Sequence, residues 1–116
     1  MKNVLNTDLT GKVAVVTGAG GVLCSQFAAV LARAGAKVAL LDINEEAASA
    51  VAQAICEEGG TARAYRCDVL SAETCRQVAD QVQSDLGPCD ILINGAGGNN
   101  PRATTDKEYF EMGDID

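Results

Sequence analysis

Four short apolar runs, each closed by a glycine, an acid or an asparagine, alternate with three stretches of helical periodicity, and no other feature of the sequence constrains the fold as much. "KVAVVT" (12–17) is β-branched, ends at Gly18 and reads as a buried strand. "KVALLD" (37–42) is a second such run, "TARAYRCDV" (61–69) a weaker third and "DILIN" (90–94) a fourth. After the first, Leu23, Phe27, Val30, Leu31 and Ala34 fall at helical spacing, and Gly35 is a natural stop. Ala47, Val51 and Ile55 form the stripe of a second helix, which Asn44 can cap and Gly59-Gly60 ends. Cys75, Val78, Ala79, Val82 and Leu86 form the stripe of a third, opened by Ser71 and broken at Gly87-Pro88. The order βαβαβαβ predicts an α/β fold built on a parallel sheet.

Composition agrees. Apolar residues make up 47% and charged ones 22%, a globular balance. Only 3% is aromatic, so Val, Ile, Leu and Ala must build the core, as they do in parallel strands covered on both faces. A net charge of −7 argues against nucleic acid as a partner, since a polyanion needs a basic footprint. Cysteines at 24, 56, 67, 75 and 89 include no CxxC pair, and there is no His, so a metal site is not expected. Their odd number and wide spacing suit the reduced thiols of a cytoplasmic protein. The start has no apolar signal region and no run is long enough to span a membrane, so no membrane partner is expected. Residues 1–116 read as one domain, with 95–116 a loop or an unfinished segment.

The chemistry collects at the strand ends. Gly18, Gly20 and Gly21 form a turn between strand one and a helix that begins with Val22 and Leu23, where backbone N–H groups and the helix dipole can meet a pyrophosphate. Asp42 ends strand two, where an acid can accept both hydroxyls of a ribose. Asp68 and Val69 end strand three, near the expected edge of an adenine. Asn94, Gly95, Ala96 and Gly97 follow strand four, where small residues let a cofactor lie against backbone. Each feature alone is ordinary turn chemistry. Together they mark the carboxyl ends of four successive strands, where open α/β sheets bind ligands.

As a set these residues resemble the N-terminal half of a short-chain dehydrogenase/reductase over roughly residues 9–98. Thr17 and Gly18 match the family's Thr-Gly-x-x-x-Gly-x-Gly, Asp42 its acid after strand two, and Asp68-Val69 its Asp-Val. Asn94, Ala96 and Gly97 match its Asn-Asn-Ala-Gly. The resemblance implies a Rossmann-type doubly wound sheet, here the first half only, in strand order 3-2-1-4. It also implies hydride transfer between a nicotinamide and an alcohol or ketone, and a homo-oligomer. Three positions depart from the pattern: Val22 and Cys24 stand where the family has glycines, and Gly95 where it has a second Asn. The valine is expected to push the cofactor outward slightly, while Gly20 and Gly21 keep the turn permissive. Asp42 would repel the 2′-phosphate of NADP, and no Lys or Arg follows at 43–46, so NAD is the expected cofactor. "GGVLCS" and "NGAGGNNPRATTD" resemble the family's mannonate/fructuronate-type sugar-acid branch.

The family's catalytic Tyr-x-x-x-Lys is not found. Four residues after Tyr109 stands Gly113, and four after Tyr65 stands Val69. No catalytic residue is therefore assigned, and the chain reads as a cofactor-binding half without its catalytic half. Two alternatives remain: a non-catalytic nucleotide-binding module, and a Rossmann-like methyltransferase, for which "NGAGG" is the wrong chemistry after strand four.

Overall fold

The computed structural model describes residues 8–95. Four parallel strands, β1 (Val13–Thr17), β2 (Lys37–Asp42), β3 (Thr61–Arg66) and β4 (Ile91–Asn94), form one sheet in the order β3-β2-β1-β4. Helices α1 (Val22–Arg33), α2 (Glu45–Glu57) and α3 (Ala72–Asp85) make the crossovers. The expected fold class and strand order are those observed. Right-handed connections explain the layering. The chain steps outward from β1 to β2 to β3 with α1 and α2 on one face, then returns past β2 to β4 with α3 on the other. The apolar residues divide accordingly. Val16, Val38 and Leu40 pack with α1 and α2, while Val13, Leu41 and Tyr65 pack with Val78, Val82 and Leu86 on the α3 side.

Helices α1 and α2 pack only in part through the stripes expected for them, with Leu31, Val51 and Ile55 against the core. Leu23 and Phe27 are exposed, and Ala28 and Ala32 are the buried residues of α1. In α2 the buried set is Ala48, Ala52 and Ile55. Both faces are turned by about one residue toward alanines. Small side chains let a helix lie close against a fully side-chained sheet, and close approach maintains interior packing density where a row of larger residues would hold the layers apart. Helix α3 packs as expected through Val78, Val82 and Leu86, although Ala79 is exposed.

Strand β3 ends at Arg66, short of the expected Val69. One more ladder bond forms, from the Cys67 amide to the Asp42 carbonyl at 3.0 Å. Asp68 then turns the chain out of the sheet. Its carboxylate accepts from the Leu70 amide at 3.0 Å and its carbonyl from the Ser71 amide at 2.9 Å. This is an Asx turn, and it leads into α3.

Beneath the α3 side, the Tyr65 hydroxyl donates to Asp85 at 2.8 Å. Burial, then the hydrogen bond and charge of Asp85, push its phenol up to about 12. The folded value lies above the unfolded one, near 10. Tyr65 therefore contributes stability that is complete below about pH 10 and lost as pH rises through the folded value. In urea denaturation, wild type should lose stability more steeply than Tyr65→Phe between about pH 10 and 12; parallel curves would rule this out.

Among the described residues β4 pairs only with β1 and leaves its other edge open. Its "ILIN" residues are all half-buried and carry no Lys or Pro to discourage edge pairing. The 116-residue chain is expected to self-associate, with a sedimentation coefficient that rises with concentration. A monodisperse monomer over the micromolar range would show the edge to be protected.

Candidate functional site

Because all four strands are parallel, their carboxyl ends gather on one rim of the sheet. β4 lies beside β1 rather than β3, so the strand order reverses there and a crevice opens between the loops after β1 and β4. A recess of about 370 Å³ at this rim is lined by Gly18, Gly21, Asp42, Ile43, Cys67, Asp68, Val69, Leu70 and Gly95. Residues drawn from the ends of all four strands thus share one cavity.

The turn after β1 is tied to the end of β2. The Ala19 amide donates to the Leu41 carbonyl at 3.1 Å, and the Gly20 amide to one oxygen of Asp42 at 2.8 Å. The other Asp42 oxygen accepts from the Asn44 amide at 2.9 Å. A carboxylate has about four acceptor sites, so two remain for hydroxyl donors after both bonds are made. The two amides hold the group in place without saturating it.

The glycines have different roles from those expected. Gly18 carries the positive φ of the turn, 66°. Gly21 is the N-cap of α1 in an extended conformation that any residue adopts (φ −74°, ψ 160°). Gly20 is required for space rather than for conformation. A Cβ there would lie 2.6 Å from the Ala47 Cβ and 2.9 Å from the Asp42 carboxylate.

Helix α1 differs from the other two at its N-terminus. Asn44 caps α2 by accepting from the Ala47 amide, and Ser71 caps α3 by accepting from the Thr74 amide, both at 3.2 Å. Acids also stand in their first turns: Glu45 and Glu46 in α2, Glu73 in α3. α1 has neither a side-chain cap nor an acid. Its first amides and the positive end of its dipole are left for an anion from outside the helix. Val22 and Leu23 supply such amides, while their side chains are 78% and 65% exposed and do not line the recess.

Thr17 and Asn94 clasp the ends of β1 and β4. The Thr17 hydroxyl donates to Asn94 Oδ1 at 2.7 Å, and the Gly95 amide donates to the Thr17 hydroxyl at 3.1 Å. Both side chains thus shape the crevice from within the sheet. Asp68 and Val69 line the recess as expected, with one Asp68 oxygen engaged by its own turn. Ala96 and Gly97 lie outside the described residues.

Sequence reasoning missed three residues. Ile43 and Leu70 are exposed apolar side chains, 58% and 52%, on the lining of the recess. They offer aliphatic surface to a flat ring. Each sits between a strand-end acid and a helix N-cap, which is a readable signal (Asp42-Ile43-Asn44 and Asp68-Val69-Leu70-Ser71). The third is Cys67, buried just after β3 on the lining of the recess. Arg66 does not line the recess, but its backbone is the cross-strand partner of Asp42. No cation follows Asp42 in sequence, yet the sheet register brings one to the neighbouring strand.

Cys24, half-buried in the first turn of α1, is not an activated nucleophile. A helix N-terminus ordinarily favours thiolate, but here burial and then the charge of Asp42 push the thiol above its usual range.

A family model for short chain dehydrogenase matches residues 12–113. An uncharacterized oxidoreductase of Haemophilus influenzae is 52% identical over 97% of this chain and 39% of its own length. The 7alpha-hydroxysteroid dehydrogenase of Escherichia coli K12 is 44% identical over 88% of this chain and 40% of its own. A Haemophilus protein provisionally assigned as a D-mannonate oxidoreductase, solved with bound NAD, superposes with a TM-score of 0.80. It is 53% identical, over 93% of this chain and 39% of that one. A metagenomic short-chain oxidoreductase of the same fold, 36% identical over 78% of this chain and 41% of its own, with a TM-score of 0.74, was solved with NADP. The chain spans about two fifths of the length of these relatives.

Gly20→Ala should destabilise the fold by about 1–3 kcal/mol, since Ala47 and Asp42 must move to admit the new methyl. Gly21→Ala, whose Cβ would meet nothing nearer than the Gly18 carbonyl at 3.4 Å, should cost well under half as much. Denaturation midpoints decide between them, and equal losses would show that conformation, not space, fixes Gly20.

Proposed function

Since the chain belongs to the short-chain dehydrogenase family, we propose that it forms the NAD-binding part of an oxidoreductase acting on an alcohol or ketone. One observation carries the reading. The uncapped, acid-free N-terminus of α1 opens beside the same recess as a strand-end acid that still has acceptor capacity. One end suits a pyrophosphate and the other a ribose diol.

The residues fit a nicotinamide dinucleotide. The amides that open α1 would hold the pyrophosphate, Asp42 the adenosine ribose, and Ile43, Asp68 and Leu70 the adenine. Gly95 would bound the nicotinamide side. When bound, the nicotinamide supplies the hydride-exchanging carbon. The chain's own contribution is to bind and orient. No residue described here moves a proton, because the Tyr-x-x-x-Lys pair that does so in this family has no counterpart among residues 1–116.

NAD is preferred over NADP because the Asp42 charge, held by two amides, faces the position where a 2′-phosphate would add like charge. For substrate we favour a sugar acid of the mannonate/fructuronate kind. The support is the likeness of "GGVLCS" and "NGAGGNNPRATTD" to that branch, together with the mannonate assignment of the NAD-bound Haemophilus relative. The missing Tyr-x-x-x-Lys favours a second reading for these 116 residues by themselves, a nucleotide-binding module without catalysis.

Replacing Asp42 by Ala should weaken NAD binding by about 1–3 kcal/mol, the scale of hydrogen bonds lost from a charged group. It should narrow the gap to NADP from the other side, because the repulsion goes while Arg66 remains on the next strand. Parallel titrations of both cofactors into wild type and variant test this. Equal affinity of wild type for NAD and NADP would refute the assignment.

A further inference from the structure

Two departures from the family's residue pattern, Cys24 in the first turn of α1 and Gly95 just after β4, stand 71 residues apart in sequence and meet in space. A Cβ built on Gly95 would come 2.1 Å from the Cys24 Sγ. The next nearest atoms are the Thr17 carbonyl at 3.2 Å and the Cys24 Cβ at 3.7 Å. The sulfur is therefore the main obstacle to a side chain at position 95, and the Thr17 carbonyl would have to give by only a few tenths of an ångström. Backbone conformation does not require glycine there, since Gly95 is not one of the chain's positive-φ glycines.

We infer that Cys24 and Gly95 are one coupled exchange, in which the thiol of α1 fills the volume that a side chain after β4 would otherwise take. The pair is a positioning element of the proposed dinucleotide site, and its functional part rests on that reading. Gly95 lines the recess, and its amide is fixed by the Thr17 hydroxyl and carbonyl at 3.1 and 3.2 Å. Cys24 packs against the core cluster beneath α1. The sulfur thus backs Gly95 from inside the protein, while the Gly95 backbone forms part of the recess wall. Displacing the sulfur or Gly95 would alter the crevice where β1 and β4 diverge. A helical χ1 has two favoured wells, so the sulfur has little freedom to step aside.

The test is a double-mutant cycle of Cys24→Ala and Gly95→Ala in the full chain, read by urea denaturation and by NAD titration. Gly95→Ala alone should lower NAD affinity about tenfold and lower the denaturation midpoint, the coupling expected of residues in contact. Cys24→Ala alone, which removes the backing behind Gly95 without obstructing it, should lower NAD affinity by about threefold, less than Gly95→Ala does. The double variant should bind NAD and unfold like Cys24→Ala, because the obstructing sulfur has gone. If Gly95→Ala cannot be recovered folded, its recovery in the Cys24→Ala background is the expected rescue. Strictly additive losses would overturn the pairing, as would a Gly95→Ala variant indistinguishable from wild type. Should wild type bind no NAD, the functional reading fails, and the denaturation cycle still decides whether the two residues are coupled.

Discussion

The hydrogen bond from the Gly20 amide to Asp42 is the contact on which the rest of the site depends. It joins the turn after β1 to the end of β2, and it forms only because residue 20 lacks a Cβ. The bond fixes where α1 begins, and with it where the uncapped amides lie. It also fixes the acid. One oxygen is held from the glycine turn and the other from Asn44, the residue that caps α2. A single carboxylate thereby sets the relative position of two helix N-termini and keeps spare lone pairs on the recess side.

The sheet needs both covers, and the two are built differently. On the α1–α2 side, alanines bring the helices close, and the larger strand residues Val16, Val38 and Leu40 fill the layer. On the α3 side a single helix covers the sheet and leaves a second recess of about 190 Å³, lined by Val15, Leu41, Cys67, Val82, Cys89 and Leu92 among others. Cys67 and Cys75 lie 4.0 Å apart at this face, and burial, with the neighbouring Cys75 thiol, pushes Cys67 up to about 12. Cys67 is a packing group rather than a reactive thiol.

Much of this was legible in the sequence. Periodicity gave the element types and the parallel sheet, the family resemblance implied the strand order, and Asn44 and Ser71 were recognisable as caps. What was not legible depended on distance through the fold. The helix faces were misread because hydrophobicity was ranked by size, while close packing against a sheet selects small residues. The end of β3 was misplaced because Asp68 spends its side chain on a local turn. Arg66 becomes a neighbour of Asp42 only through register, and Cys24 meets Gly95 only through the crossover that brings β4 beside β1. Val22, a departure from the family's pattern, has an exposed side chain, which the sequence alone could not show.

That crossover has a consequence for the order of assembly. Partners in β1 and β2 are 24 residues apart, as in Val13 and Lys37, and β2 and β3 repeat the interval. Partners in β1 and β4 are 77 apart, as in Ala14 and Ile91. Closing the longer loop costs about 1 kcal/mol more in chain entropy. Low-separation pairings form first in such topologies, so β3, β2 and β1 make the early sheet and β4 docks onto it. Loop entropy thus favours closing the wall between β1 and β4 after the rest of the described sheet, with the Thr17–Asn94 clasp as its latch.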